Sequence, residues 1–169
     1  KLGMILLAAS LALSAQVTSE TLTKAQQESN SWLSYGKTYF GWRYSPLTQI
    51  STSNVAQLAP AWILPTGVPG NNETTPLVMG DMMYVTGPSN NAWAIDLTTG
   101  KKVWSYSEYV PSGLGLCCGT VNRGFAMLGD RLFKVNIQST LVALGAKSCK
   151  VLWDTTIDDY KKGYSNTAA

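Results

Sequence analysis

An internal repeat constrains the fold of this chain more than any other feature of its sequence. Gly129 lies 49 positions after Gly80, and the same offset aligns Ala94 with Ala143, Lys101 with Lys150 and Trp104 with Trp153. Each copy has the pattern of a strand, a Gly-Asp turn, a second strand, a loop, a third strand, a tight turn and a fourth strand ending at the tryptophan. Strand-rich repeats of about 40–50 residues with a recurring tryptophan are typical of β-propellers, whose blades are four-stranded sheets.

We therefore predict an all-β fold that consists of the first blades of a propeller. Two and a fraction repeats cannot close a ring, so we expect the N-terminal part of a longer protein, with residues 164–169 entering a further blade. The recurring tryptophans Trp62, Trp104 and Trp153 are expected to pack between blades. In the tight turn Asp96–Gly100, Gly100 suits a positive φ, whereas Cys149 occupies the same place in the second copy and makes that turn less favourable.

The first residues have the pattern of a secretory signal peptide. Lys1 precedes an apolar run over residues 2–13, and Ser14-Ala15-Gln16 provides a cleavage point with small residues. The run is too short for a membrane span of about 20 residues, and a buried core helix is the alternative. We predict that residues 1–15 are a signal peptide, that the mature protein is periplasmic, and that it has no membrane span.

Residues 16–60 are predicted to form an N-terminal segment of short helices and loops, and residues 61–169 the truncated blades. Thr21–Trp32 is polar and spaced for a helix that begins near a Ser/Thr cap. Ile50–Leu58 is predicted as a second short helix, which Pro60 ends, and Ala61–Leu64 as a strand.

Composition excludes several classes of function. The chain has no histidine, which rules out a Ser-His-Asp triad, a His-ligated zinc and a CxxCH haem site within these residues. A net charge of +3 without a Lys/Arg cluster argues against nucleic acid as a partner. Three cysteines cannot all pair with one another, so Cys149 is expected to be a free or buried thiol.

The stretch Cys117-Cys118-Gly119-Thr120-Val121-Asn122-Arg123-Gly124 is the strongest candidate for a binding site. Neighbouring Cα atoms lie about 3.8 Å apart, below the roughly 4.4–6.8 Å that disulfides usually span, so a bond between adjacent cysteines requires a distorted ring. Two independent thiols are the alternative. Arg123 adds a permanent cation with a planar fork of donors, which suits a small anionic ligand.

Several motifs together resemble the pyrroloquinoline-quinone (PQQ)-dependent alcohol dehydrogenases, a family of periplasmic eight-bladed propellers that includes methanol and ethanol dehydrogenases. The resemblance covers nearly the whole mature chain. It rests on Trp32-Leu33-Ser34-Tyr35-Gly36, Arg43-Tyr44-Ser45-Pro46-Leu47, Leu58-Ala59-Pro60-Ala61-Trp62, Glu73-Thr74-Thr75-Pro76-Leu77, the CC-x-x-VNRG stretch and the Ala-x-Asp-x-x-Thr-Gly-Lys-x-x-Trp turn.

The resemblance implies a set of cofactor-binding residues. One face of the quinone is expected to lie on a disulfide ring formed by Cys117 and Cys118. Arg123 is expected to pair with oxygens of the cofactor, which carries three carboxylates, and Glu73 and Thr167 to hydrogen-bond to it.

The resemblance also implies a reaction, in which a primary alcohol is oxidised to an aldehyde by hydride transfer to the quinone. It implies a Ca²⁺ or lanthanide ion, and a cytochrome c-type or quinone electron acceptor. The metal ligands and the catalytic base are expected beyond Ala169, so no catalytic or metal-binding residue is assigned in this chain, and a haem c in a later domain stays open. The alternative function is a non-catalytic propeller with PQQ-like repeats that serves as a binding or assembly scaffold in the cell envelope.

Overall fold

The computed structural model describes residues 16–116 and 118–162, which form two antiparallel sheets after a mostly irregular segment. The first sheet consists of β1 (Leu77–Met79), β2 (Met82–Thr86), β3 (Ala92–Asp96) and β4 (Lys102–Tyr106). The second consists of β5 (Ala126–Leu128), β6 (Arg131–Val135), β7 (Thr140–Gly145) and β8 (Val151–Thr156). In each sheet every strand pairs with the next one along the chain. The predicted propeller blades are confirmed, and we call them the first blade (β1–β4) and the second blade (β5–β8).

The two blades repeat each other in detail. The pairing of the third and fourth strands shifts between Ala94 and Ile95 in the first blade, and between Ala143 and Leu144 in the second. Gly80 and Gly129 both adopt positive φ, at 58° and 65°, in the turn between the first two strands. The repeat in the sequence is therefore a repeat of strand register and of turn conformation.

The turn between β3 and β4 has the predicted conformation. Gly100 has a φ of 68°, and the Asp96 carboxylate accepts hydrogen bonds from the backbone N–H and the hydroxyl of Thr99 at 2.8 and 3.0 Å. These hydrogen bonds lower the pKa of Asp96. In the second blade Cys149 adopts a φ of 59°, which costs conformational free energy for a residue with a side chain. Its free thiol is partly buried, and burial raises its pKa.

Two tryptophans each donate a hydrogen bond to the blade that follows them along the chain. Trp62 Nε1 donates to the carbonyl of Leu97 in the first blade at 2.9 Å, and Trp104 Nε1 donates to the carbonyl of Ala146 in the second at 2.8 Å. The two acceptors hold equivalent places in the repeat. Packing between blades is thereby confirmed for Trp104, whereas Trp62 packs on the first blade from the segment that precedes it. Trp153 lies on β8 and packs against Phe133, with 5.9 Å between ring centroids.

Gly100→Ala is expected to destabilise the protein by about 2–4 kcal/mol, combining the cost of positive φ with overpacking. A Cβ atom at this position would lie 2.5 Å from Cγ of Trp62, so the indole would have to move away from the first blade. Gly80→Ala is the matched control, because Gly80 also has positive φ but its added Cβ meets nothing within 4 Å. Denaturant unfolding of both variants measures the difference, and equal losses would show that the Trp62 contact contributes nothing to stability.

The segment before the blades contains less helix than predicted. The α-helix α1 covers only Ser19–Thr23, and Thr18 caps it through reciprocal hydrogen bonds with Thr21. The predicted cap type is correct and the predicted helix over Thr21–Trp32 is too long, because the chain continues in turns and then pairs with β1 through Trp32 and Val78. Of Ile50–Leu58, only Val55–Gln57 forms a helix, of the 3-10 type.

The strand predicted over Ala61–Leu64 is absent. Ala61 lies in a bend, and none of the four residues pairs with a strand that the structure describes, whereas a β-strand needs a neighbour for its hydrogen bonds. The anchor of this stretch is the Trp62 side chain.

The core joins both blades to the N-terminal segment. Val17 and Leu33 pack in one buried cluster with side chains from the blades, among them Leu77, Tyr84, Phe125, Leu132 and Leu144. A second 3-10 helix among the described residues, Tyr160–Lys162, follows β8. None of the helices described in residues 16–116 and 118–162 is long and apolar enough to cross a membrane.

Candidate functional site

Two predicted site residues come together where the chain leads into each blade. Glu73 precedes β1 and Arg123 precedes β5, and the two leading segments run side by side. The N–H of Thr75 donates to the carbonyl of Arg123 at 3.1 Å, and Thr75 and Gly124 form a parallel bridge. Residues 50 positions apart thus become neighbours because successive blades begin at adjacent places.

The side chains of these two residues form a loose ion pair. Arg123 Nη2 lies 3.5 Å from Glu73 Oε2, and the two side chains are 49% and 40% exposed. A half-exposed pair of this length contributes about 0–1 kcal/mol to folding. The pair is accessible to a ligand and offers it a cationic donor fork beside an anionic acceptor.

The loop between the blades contains Cys118. Cys118 is exposed, and Thr120 rests on the first blade, where its carbonyl accepts from the N–H of Ser89 at 2.8 Å and the two hydroxyls lie 3.1 Å apart. Cys117 and Thr167 lie outside the described residues, as does the predicted signal peptide at residues 1–15. The Cys117–Cys118 bond and the role of Thr167 therefore stay predictions.

Two buried side chains form hydrogen bonds with the backbone and side chains of residues adjacent to Glu73 and Arg123. Asn122 is 2% exposed; its Nδ2 donates to the carbonyl of Val135 at 2.9 Å, and its Oδ1 accepts from the N–H of Gly124 at 3.1 Å. Thr86 is fully buried and links the hydroxyl of Thr74 to the carbonyl of Asn122. The residues adjacent to Glu73 and to Arg123 are thereby connected through one hydroxyl.

A second polar cluster, which the sequence analysis missed, lies between the blades. We call it the Lys134 cluster; it consists of Lys134, Asn90, Tyr106, Glu108, Asn136 and Gln138. The Lys134 ammonium is completely buried and donates to the carbonyl of Asn90 at 3.1 Å and to Oδ1 of Asn136. The Glu108 carboxylate accepts hydrogen bonds from Tyr106, Asn136 and Gln138.

Burial dominates the protonation of this cluster. It lowers the pKa of Lys134 to about 7, against the opposing effect of the Glu108 charge. Burial and the hydrogen bond to Glu108 raise the pKa of Tyr106. A period of two along β6 places Lys134 on the same face as the buried Leu132, and that alternation is the signal that could have identified it.

The described residues hold no group of three or more Cys, Asp or Glu side chains arranged to bind a metal ion. The polar groups that they do bring together, Glu73 and Arg123, suit an organic anion with hydrogen-bonding oxygens.

Comparison with known proteins relates the chain to one family. The model of the PQQ β-propeller domain of glucose, ethanol and alcohol dehydrogenases matches residues 32–152. The chain is 34% identical to the quinoprotein alcohol dehydrogenase PedH of Pseudomonas putida over 92% of its own length and 26% of that protein. It is 36% identical to 1-butanol dehydrogenase (quinone) of Thauera butanivorans, over 90% of this chain and 25% of that protein.

A solved structure shows the same relation in three dimensions. The chain superimposes on a europium-containing methanol dehydrogenase with a TM-score of 0.82 and 35% identity, covering 88% of this chain and 27% of that one. The chain thus spans about a quarter of the length of these relatives.

Proposed function

Because this chain belongs to the family of PQQ-containing glucose, ethanol and alcohol dehydrogenase β-propellers, we propose that it is the N-terminal part of a periplasmic alcohol dehydrogenase. The complete enzyme oxidises small primary alcohols to aldehydes. The observation that carries the proposal is the contact between Glu73 and Arg123, in the segments that lead into adjacent blades, with Cys118 five residues before Arg123.

The side chains at this place fit the quinone cofactor chemically. Arg123 supplies a planar fork of donors for carboxylate and carbonyl oxygens, and Glu73 supplies an acceptor next to it. Both are about half exposed, so a ligand can replace their weak mutual contact with contacts of its own. When bound, PQQ supplies the redox chemistry by accepting a hydride from the alcohol, while the protein binds and orients it.

Each remaining site residue has a separate role in the proposal. Cys117 and Cys118 form a disulfide ring that supports one face of the quinone, and Thr167 donates its hydroxyl to a carboxylate. A Ca²⁺ or lanthanide ion is held by residues beyond Ala169, where the catalytic base also lies. A cytochrome c-type protein or a quinone accepts the electrons. The europium-containing methanol dehydrogenase that the chain superimposes on supports a lanthanide as the ion.

Equilibrium titration of the complete protein with PQQ tests the proposal. We expect saturable binding of one quinone per chain and reduction of the bound quinone on addition of a primary alcohol. The alternative, a scaffold propeller of the cell envelope, has no use for the Glu73–Arg123 pair and is expected to bind no quinone. A complete, folded protein without saturable binding would therefore favour the scaffold.

The proposed disulfide is tested by mass spectrometry of the exported protein, alkylated in denaturant without reduction. We expect the peptide with Cys117 and Cys118 to be lighter than the dithiol by two hydrogens and to carry no alkyl group. Cys149, a free thiol in the structure, is the internal control and is expected to be alkylated. Alkylation of all three cysteines would remove the ring from the proposed site.

A further inference from the structure

We propose that Asn122 and Thr86 are positioning residues that set the separation and direction of Glu73 and Arg123 for the bound ligand. This inference rests on the proposed function, because it concerns how the quinone site is held. Both side chains are buried, so they act on the ligand through Glu73 and Arg123.

The ion pair cannot hold its own geometry. Its two side chains are 49% and 40% exposed and 3.5 Å apart, and exposed pairs of this kind gain little over their solvated, mobile states. The position of Arg123 therefore depends on its backbone and on what holds that backbone in place.

Asn122 holds this backbone from the second blade. Its Nδ2 donates to the carbonyl of Val135 at the end of β6, and its Oδ1 accepts from the N–H of Gly124, on the other side of Arg123. One side chain thus fixes the residues before and after Arg123. Asn122 is only 2% exposed, so water cannot replace these hydrogen bonds when they are lost unless the site opens.

Thr86 extends this support to Glu73. The Thr74 hydroxyl lies 2.9 Å from the Thr86 hydroxyl, and the Thr86 N–H donates to Oγ1 of Thr74 at 3.3 Å. The Thr86 hydroxyl in turn donates to the carbonyl of Asn122 at 3.4 Å. Since Thr86 lies at the end of β2, a rigid strand of the first blade connects the neighbour of Glu73 with the neighbour of Arg123.

Gly124 allows the two leading segments to approach each other closely. Its φ is 133°, and an added Cβ would lie 3.0 Å from the carbonyl oxygen of Thr75. The close approach of the two backbones therefore needs glycine at this position. The register of Glu73 against Arg123 follows from this approach together with the side-chain bonds of Asn122 and Thr86.

The test is a double-mutant cycle on PQQ affinity in the complete protein. Asn122→Ala removes both side-chain bonds, and the nearly isosteric Thr86→Val removes only the bridging hydroxyl. Each is expected to weaken PQQ binding about tenfold. Asn136→Ala is the matched control, because Asn136 is equally buried and amide-bonded but belongs to the Lys134 cluster. It is expected to lower the melting temperature without changing PQQ affinity.

The cycle with Arg123→Ala separates positioning from general damage. If Asn122 acts through Arg123, the Asn122→Ala effect on affinity disappears in the Arg123→Ala background. Three outcomes would overturn the inference. The first is an equal loss of PQQ affinity on Asn122→Ala in both backgrounds, and the second is an equal loss of affinity in Asn136→Ala. The third is unchanged affinity in both Asn122→Ala and Thr86→Val. Failure of the unsubstituted protein to bind PQQ would instead overturn the proposed function, and the inference with it.

Discussion

Arg123→Lys in the complete protein is expected to weaken PQQ binding by about 1–3 kcal/mol, or roughly five- to 150-fold. Lysine keeps the positive charge but loses the planar fork that pairs with two oxygens of one carboxylate. It also loses the reach by which Arg123 Nη2 contacts Glu73. Equilibrium titration of the purified, quinone-free protein measures this change.

Arg131→Lys provides a matched control for that titration. Arg131 is likewise about half exposed, and its Nε lies 3.9 Å from the Asp130 carboxylate. It begins β6 opposite Leu128, the last residue of β5, whereas Arg123 precedes the first residue of β5. We expect the control to bind PQQ like the unsubstituted protein. Equal affinity of all three proteins would remove Arg123 from the cofactor site.

Lys134→Met is expected to flatten the dependence of stability on pH. Burial lowers the pKa of Lys134 in the folded protein to about 7, whereas the ordinary value, which applies in the unfolded chain, is 10.5. Between these values the unfolded chain binds more protons than the folded protein, so the free energy of unfolding rises with pH. The stability that deprotonated Lys134 contributes is complete above its pKa in the unfolded chain and is lost as pH falls through its pKa in the folded protein. Between pH 7 and pH 9 the resulting rise in the free energy of unfolding amounts to about 2 kcal/mol.

Denaturant unfolding at several pH values from 6 to 9 measures this contribution as the difference between the variant and the unsubstituted protein. The groups that face the ammonium are Glu108, Asn136, the Asn90 carbonyl and the ring of Tyr106, whose centroid lies 5.0 Å from Nζ. They remain in the variant. The exposed Lys147 gives a control, Lys147→Met, that should keep the full rise in stability with pH. A parallel profile for Lys134→Met would show that this lysine does not titrate in that range.

The blades were predictable because the residues that specify their turns and strands lie close together in the sequence and occur twice. A Gly-Asp turn, a second tight turn and a tryptophan recur at one offset, and the structure repeats the same bulge and the same positive φ at those places. The role of the tryptophans followed from the need of each blade to cover its neighbour. Their acceptors, the carbonyls of Leu97 and Ala146, needed coordinates to identify.

The predictions that failed concern segments whose conformation depends on distant partners. Ala61–Leu64 has the composition of a strand but pairs with no described strand, and its position follows from Trp62. The predicted helix over Thr21–Trp32 ends early because Trp32 pairs with Val78 and Leu33 enters the core. Local propensity is a weak guide where tertiary contacts of this kind decide.

The candidate site was predictable from the motif residues and not from their surroundings. Family resemblance selected Glu73 and Arg123, and the structure brings them together across 50 residues of sequence. The support by Asn122 and Thr86, and the whole Lys134 cluster, arise from contacts between blades. No pattern in a single segment encodes such contacts, apart from the alternation along β6 that places Lys134 inside.

A crystal structure of the complete protein with bound PQQ tests the central claim most directly. We predict that the quinone lies against Cys117 and Cys118, with its oxygens bonded to Arg123 and with Glu73 in contact with its edge. A quinone bound elsewhere in the propeller, with the Glu73–Arg123 ion pair unchanged, would contradict the account.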